Sequence, residues 1–407
     1  MNSILNLTVP NGFHETLLRD PSSLKLVEVT VTPFPELIVY QAQFNCSNEE
    51  WVHKLGILAY GSALPQTTLE EAQAEGLRCL CDFLVAYHEE GGTQAFHYKT
   101  GDWSPISLNL ISPDSYFERN QAVLNPGMLQ EKVVTLVGCG SFGSATALGL
   151  AQAGIGNIQV VDNSTVSVAN LARAALYQTS CIGRHKVYAL KDQLREMCPF
   201  TRVTPLAVNV LEASELLSER VAKSDLVIAT TDNNASRLLL QELCIEHQKP
   251  FLSSRAFARA HAGDIFLYDP EKDTPCYACM LQQAFGDEEI TSEAQAEDVL
   301  PAYTTREDLQ LAAEPGLQND ISVFVTALVR WSLMVLCKGS NRPLTELEED
   351  FAHPYAFYVN RRGGHFKNTV PLAEAGVRDF TAHRWYTMDL PKVSGCLSCN
   401  AEFKMTG

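Results

Sequence analysis

Three features of the sequence predict an α/β fold on a doubly wound, Rossmann-like parallel sheet. From Glu131 onward, apolar runs of strand length alternate with segments of helical periodicity. The first run, Val133–Val137, leads into a glycine-rich turn, Gly138-Cys139-Gly140-Ser141-Phe142-Gly143. The next run, residues 158–162, ends on an acid, Asp162, 19 residues beyond Gly143. Continuous apolar strands belong to sheets covered on both faces, and alternation with helices implies parallel crossovers.

Taken in order, residues 133–137 form the first strand, 144–153 a helix of small residues and 158–162 the second strand. A helix over 186–197, strands over 202–210 and 225–230, a helix over 235–248 and a strand over 251–253 complete the sheet. Residues 321–337 read as a long apolar core helix, shorter than the roughly twenty residues a bilayer requires. Upstream the pattern weakens. Residues 26–32 and 36–44 read as strands, and 68–87 show helical spacing through Leu69, Ala72, Leu77, Leu80 and Phe83. These elements imply an accessory α/β domain over residues 1–110, a connector around Pro105 and Pro113, and a main domain over 111–407.

The 407 residues suffice for two or three domains, with no repeat or low-complexity tract. The formal charge of -17, from 48 acids against 31 bases, repels phosphate backbones and anionic lipid. Neither nucleic acid nor membrane is therefore expected as the main partner. Residues 1–11 lack a basic start followed by an apolar run, so no secretory signal is expected. Among the twelve cysteines, two Cys-x-x-Cys pairs stand out. Without an export signal such pairs read as metal or redox sites, and the compartment as a reducing cytoplasm.

The glycine turn fits G-x-G-x-x-G between a strand and a helix. Gly138, Gly140 and Gly143 let the backbone turn tightly and approach a phosphate, with the free N–H groups of a helix N-terminus beside it. Asp162 occupies the place where an acid binds ribose hydroxyls. NAD and ATP both satisfy these features, and a tight turn without ligand satisfies the glycines alone.

Residues further along separate the two nucleotides. Asn170-Leu171-Ala172-Arg173, Gly183-Arg184-His185-Lys186 and Thr231-Asp232-Asn233, with Arg237 a turn later, together supply two cations for polyphosphate and a carboxylate for Mg²⁺. Attack of a carboxylate on the α-phosphate of ATP builds charge on phosphate oxygens and departing pyrophosphate, which such groups stabilise. Hydride transfer makes no such demand. Taken singly, Arg173, Lys186 or Arg237 would be a solvated surface charge and Asp232 a helix cap.

Cys276-Tyr277-Ala278-Cys279 and Cys396-Leu397-Ser398-Cys399 are two knuckles separated by 116 residues. Four thiolates in two pairs suit tetrahedral Zn²⁺ with no open position, a structural site. Redox pairs are the alternative, although neither pair opens a helix in a thioredoxin-like setting. Cys139, Cys244 and Cys337 read as small core residues.

This set of residues resembles the adenylation domain of the ThiF, MoeB and HesA family, relatives of ubiquitin-activating enzymes, over residues 115–400. The resemblance implies that the glycine loop and Asp162 hold adenosine and phosphates, with Asn170 and Asn233 in the same motifs. It implies that Arg173 and Lys186 contact phosphates and that Asp232 binds Mg²⁺. Tyr116-Phe117-Glu118-Arg119-Asn120 is similar to the segment whose arginine reaches the partner subunit's ATP, implying a homodimer with Arg119 acting in trans. Two positions depart from the family: Ser164 stands where a second acid is usual, and Ala174 where glutamine is usual.

The implied activity is ATP-dependent adenylation of the C-terminal carboxylate of a ubiquitin-like or sulfur-carrier protein. Many relatives carry a thioester-forming cysteine between the first knuckle and the late helix. Here residues 281–321 contain none, and Thr304 and Thr305 are poor acceptors. Direct transfer to a partner nucleophile, such as a conjugating enzyme's cysteine, is favoured. A cysteine elsewhere (Cys181, Cys79 or Cys81) and an enzyme that stops at adenylation or forms an amide remain open. The rival readings are a peptide-modifying adenylating enzyme, an inactive scaffold subunit and a nicotinamide dehydrogenase.

Overall fold

The computed structural model describes residues 113–257, 260–272, 274–285, 316–340, 353–361, 381–396 and 398–399. Nearer the N-terminus it describes residues 73 and 101 and seven strands. The chain divides into two compact units, Met1–Glu118 and Arg119–Gly407.

In the first unit the strands are β1 (Ile4–Val9), β2 (Lys25–Pro33), β3 (Leu37–Ala42), β4 (Val52–Tyr60), β5 (Phe83–His88), β6 (Gly92–Lys99) and β7 (Asp102–Leu110). They pair in the order β1-β3-β2-β4-β5-β6-β7, and β1 closes the barrel by pairing parallel with both β3 and β7. Closure removes the exposed sheet edges that promote aggregation. The two strands expected here are β2 and β3. The helix expected over 68–87 ends differently: Phe83–His88 is a strand between β4 and β6. Residues 68–72 and 74–82 lie outside the described residues. Pro105, expected in a connector, sits within β7 opposite Phe96. Pro113 opens a short helix, α1 (Pro113–Tyr116).

The second unit begins with α2 (Pro126–Gln130), which Asn125 caps by accepting the Met128 N–H. There follow β8 (Val133–Val137), α3 (Ser141–Ala153), β9 (Asn157–Val161), α4 (Val168–Leu171), α5 (Lys186–Met197), β10 (Arg202–Leu206), α6 (Ser214–Ala222), β11 (Leu226–Ala229) and α7 (Asn234–Glu246). After them come β12 (Phe251–Ala256), β13 (Ala262–Tyr268), α8 (Tyr277–Phe285), α9 (Gln318–Leu336), β14 (Tyr355–Val359) and β15 (Arg384–Met388).

These strands form one sheet in the order β10-β9-β8-β11-β12-β13-β14-β15. The five expected strands run parallel, whereas β13, β14 and β15 extend the sheet antiparallel, so the sheet is mixed. Helices cover both faces. Leu136, Leu150, Leu190, Leu194, Leu328 and Trp331 belong to the core on one face. Val137, Leu217, Leu240, Tyr277 and Met280 belong to the core on the other. Each fully buried large side chain contributes about 1.5–3 kcal/mol.

The late apolar helix α9 is long and apolar enough to cross a membrane. Instead it buries Phe324, Leu328 and Trp331. Gly149 of α3 lets it approach, since a Cβ there would stand 2.9 Å from a methyl of Val329. The chain leaves β8 for β9 on one side and reaches β11 on the other. At such a reversal the carboxyl ends of the strands open a crevice, the usual ligand position in doubly wound sheets.

Candidate active site

Strand β8 delivers the chain to Gly138 at φ 95°, a left-handed conformation that suits glycine. A Cβ on Gly138 would lie 2.8 Å from the Thr230 carbonyl, and one on Gly143 would lie 1.8 Å from the Gly138 carbonyl. Both positions are closed to any side chain by the protein itself. At Gly140 a Cβ would meet no atom within 4 Å. That gap faces the cleft, so it is room for a ligand. Gly140 is also the N-cap of α3 and supplies no side-chain cap, leaving the helix N-terminus directed at an incoming anion.

Asp162, just past β9, holds the loop in shape. Its Oδ2 accepts the Cys139 N–H at 2.7 Å and its Oδ1 accepts the Ser164 N–H at 2.7 Å. The carboxylate therefore ties the glycine loop to the turn after β9, and its remaining lone pairs are available to ribose hydroxyls. The main-chain carbonyl of Ser164 accepts the Lys186 N–H and so places the start of α5, a bond that does not depend on the side chain at this position.

Gly138, Gly140, Asp162, Asn170, Arg173, Lys186, Asp232 and Asn233 line one cleft of about 400 Å³. The crevice at the strand reversal thus gathers residues spread over nearly a hundred positions. Asn170 accepts the Ser167 N–H and completes the capping box of α4. Asn233 caps α7 by accepting the Ser236 N–H at 2.8 Å, and its amide donates to Asp232 Oδ1 at 3.2 Å. The cap in this segment is thus Asn233, which leaves the exposed Asp232 carboxylate facing the cleft.

Three expected residues are placed differently, the first being Gly143, which packs against the Gly138 carbonyl and does not line the cleft. Arg237 lines the cleft but is only 4% exposed. It donates to the Asn234 side chain at 2.9 Å and to the Thr231 carbonyl, so its donors shape the loop. Arg119 is exposed at the start of the second unit and does not line the cleft.

A further polar group on the cleft was not legible in the sequence. Arg255 of β12 lines the cleft and pairs with Asp264 of β13 at 2.9 Å, with both side chains buried. Tyr355 donates to the same Asp264 oxygen at 3.0 Å, and the Arg255 guanidinium lies 5.6 Å from the Phe257 ring centre. The pair forms because antiparallel β12 and β13 set these residues directly opposite one another.

Among the described residues no cysteine lines the cleft. Cys139 lies beneath the glycine loop, and burial pushes its thiol well above the ordinary range. Cys181 is 1% exposed. Thr304, Thr305, Cys79 and Cys81 lie outside the described residues.

The four knuckle cysteines converge. Sulfur separations are 3.6 Å for Cys276–Cys279, Cys276–Cys396 and Cys279–Cys399, and all four sulfurs fall within 4.8 Å of one another. A tetrahedral ion with about 2.3 Å bonds sets its sulfurs about 3.8 Å apart, so the cluster fits four-coordinate metal. Cys276 immediately precedes α8, so the first pair opens a helix, within the doubly wound unit rather than a thioredoxin-like setting. Its sulfurs nonetheless contact those of the distant second pair, which a two-cysteine redox site does not require. A hydrogen bond from Cys276, reinforced by the Val393 N–H at 3.4 Å, pulls the Cys279 thiol down to about 5. The same bond pushes Cys276 up.

The model of the ThiF family matches residues 125–333, just over half of the chain, and takes in the whole glycine loop and Asp232. The chain belongs to the ThiF family. Within that family it is 35% identical over 163 residues to the molybdopterin-synthase adenylyltransferase of Escherichia coli K12, covering 40% of this chain and 64% of the relative. It is 30% identical over 179 residues to the sulfur carrier protein ThiS adenylyltransferase of the same organism, covering 44% and 67%. The matched stretch thus spans less than two thirds of the first of these relatives. Among solved structures, E. coli MccB with AMPCPP and MccA shares 16% identity at a TM-score of 0.49, covering 68% of each chain.

Proposed function

We propose that this ThiF-family chain is an ATP- and Mg²⁺-dependent adenylyltransferase. It activates the C-terminal carboxylate of a ubiquitin-like or sulfur-carrier protein for transfer to a partner nucleophile. One observation carries the reading: the glycine loop, Arg173, Lys186 and Asp232 line a single cleft. The curated relatives, whose names describe adenylyltransferases for molybdopterin synthase and for a sulfur carrier, support the same chemistry.

In this reading a carboxylate oxygen of the carrier attacks the α-phosphorus of ATP. The bond to the bridging oxygen breaks, and acyl adenylate and pyrophosphate result. Amides of the glycine loop and the N-terminus of α3 receive phosphate oxygens, and Asp162 receives the ribose. Arg173 and Lys186 offset the negative charge that grows on the departing pyrophosphate. Asp232 holds Mg²⁺, which when bound neutralises phosphate charge.

Cys276, Cys279, Cys396 and Cys399 hold Zn²⁺ as a closed structural site. Arg119, exposed and away from its own cleft, acts on the partner's ATP in a homodimer. In this reading the adenylate passes directly to an external nucleophile, such as a conjugating enzyme's thiol. Five described cysteines outside the four-cysteine site, Cys139, Cys181, Cys198, Cys244 and Cys337, form no disulfide and suit a reducing cytoplasm.

The test is ATP–pyrophosphate exchange with candidate carriers. Exchange should require the carrier and its free C-terminus, and should fall at least about a hundredfold in Asp232→Ala. Exchange supported by a short peptide and by no carrier would replace this reading with that of a peptide-modifying enzyme. Absence of ATP binding would reduce the chain to a scaffold subunit.

A further inference from the structure

We propose that the four-cysteine centre positions the magnesium-binding loop, through a hydrogen-bonded relay running from Tyr277 through Asn234 and Arg237 to Thr231. The inference rests on the reading of the cleft as a Mg-ATP site and assigns positioning roles to three residues outside the transfer chemistry.

Tyr277 sits inside the first knuckle, immediately after Cys276, and is 1% exposed. Its ring is wedged edge-on against Phe251 and Phe266, with centroids 6.2 and 5.6 Å away. The ring cannot swing without displacing the core, and its main chain lies between Cys276 and Cys279, so core and knuckle together set where its hydroxyl points. That hydroxyl donates to Asn234 Oδ1 at 2.9 Å. The same oxygen accepts from Arg237 Nη1 at 2.9 Å, and Arg237 Nη2 donates to the carbonyl of Thr231. Thr231 is the neighbour of Asp232.

Two features make this a designed support rather than incidental packing. Arg237 is a buried cation that pairs with no carboxylate among the described residues. A carboxylate would hold the guanidinium more strongly but would cancel its charge. Bound instead to an amide oxygen and a main-chain carbonyl, it keeps a positive potential at the cleft floor and still fixes the loop. On the other side, Asn233 caps α7 and touches Asp232, so the loop is gripped from both ends. Asp232 itself is exposed and accepts the Asn233 amide, so its direction depends on these supports.

The second pair of cysteines closes the far end of the relay. Sulfurs of Cys396 and Cys399 stand 3.6 Å from those of Cys276 and Cys279. A metal there locks the backbone on either side of Tyr277. Loosening that lock is transmitted to Asp232 and weakens Mg²⁺ binding, not nucleotide binding as such.

The experiment uses the full chain carrying Tyr277→Phe, which removes one hydroxyl and keeps the ring. Zinc content, ATP binding without divalent metal, and Mn²⁺ binding in the presence of ATP (read by electron paramagnetic resonance) are compared with the unaltered protein. Zinc content and metal-free ATP binding should hold, while Mn²⁺ binds about three- to tenfold more weakly, the loss of one buried hydrogen bond. Unchanged Mn²⁺ binding, even with a lowered melting temperature, overturns the relay. If Tyr277→Phe also loses zinc, Asn234→Ala decides, because Asn234 lies outside the knuckle: weaker Mn²⁺ binding with zinc retained supports the relay, and unchanged binding overturns it. Failure of the unaltered protein to bind Mn²⁺ with ATP would sink the reading of the cleft itself. Equal binding by the unaltered protein and Tyr277→Phe sinks only the coupling.

Discussion

Replacing Asp162 with asparagine tests whether this carboxylate organises the glycine loop. Its two oxygens each accept a main-chain N–H at 2.7 Å, from Cys139 and from Ser164. Both are charge-assisted bonds, worth about 1.5–3 kcal/mol each. An asparagine has one acceptor oxygen, so one amide keeps a weakened neutral bond while the other faces an NH₂ group. Loss of one charged bond and weakening of the second give about 2–3 kcal/mol of destabilisation. For a unit of this size that lowers the melting temperature by about 3–5 °C. Whichever way the asparagine turns, the Cys139 amide between Gly138 and Gly140 loses its charged partner, so ATP affinity should fall at least about tenfold even where the protein remains fully folded. Differential scanning fluorimetry and calorimetric titration with ATP measure the two effects separately. If Asp162→Asn melts within 1 °C of the unaltered protein and binds ATP equally well, the carboxylate is not the organiser and the argument fails.

Further outcomes follow from the same geometry. Gly143→Ala forces a methyl to within 1.8 Å of the Gly138 carbonyl and should cost more than about 3 kcal/mol. Gly140→Ala meets no protein atom, so thermal melting should change by less than about 1 kcal/mol while calorimetry shows ATP affinity falling about tenfold or more. Cys279→Ser should lose stoichiometric zinc by elemental analysis and destabilise the second unit by at least about 4 kcal/mol in denaturant titration. Asp264→Ala strands the buried Arg255 guanidinium and should cost about 3–5 kcal/mol in the same titration.

The parallel half of the sheet was readable because its strands are unbroken apolar runs separated by helical periods, a pattern with one simple topological solution. The candidate site was readable for a related reason. Gly138, Asp162 and Asp232 each follow a strand, so finding the strands placed the residues at one edge. What escaped depended on register. Arg255 and Asp264 are nine apart in sequence and become neighbours only because β12 and β13 pair antiparallel with Arg255 opposite Asp264. Strand β15 is part-exposed without a clear alternation, so it carried no recognisable period. In the first unit, Leu77, Leu80 and Phe83 suit a helix by spacing, yet Phe83 begins β5; pairing with β4 and β6 outweighed local preference there. Sequence shows a cation a turn beyond Asp232 but not that its donors turn inward to hold the loop.

The four-cysteine cluster also sets an order of events during synthesis. The ribosome makes Cys396 and Cys399 some 120 residues after their counterparts, when the parallel strands and α7 have already left the tunnel. Until that late stretch arrives, Cys276 and Cys279 have only half a coordination shell. A nascent chain interrupted between the two pairs would hold a nearly complete sheet and an incomplete metal centre, and would be distinguishable from the finished protein by its reactive thiols.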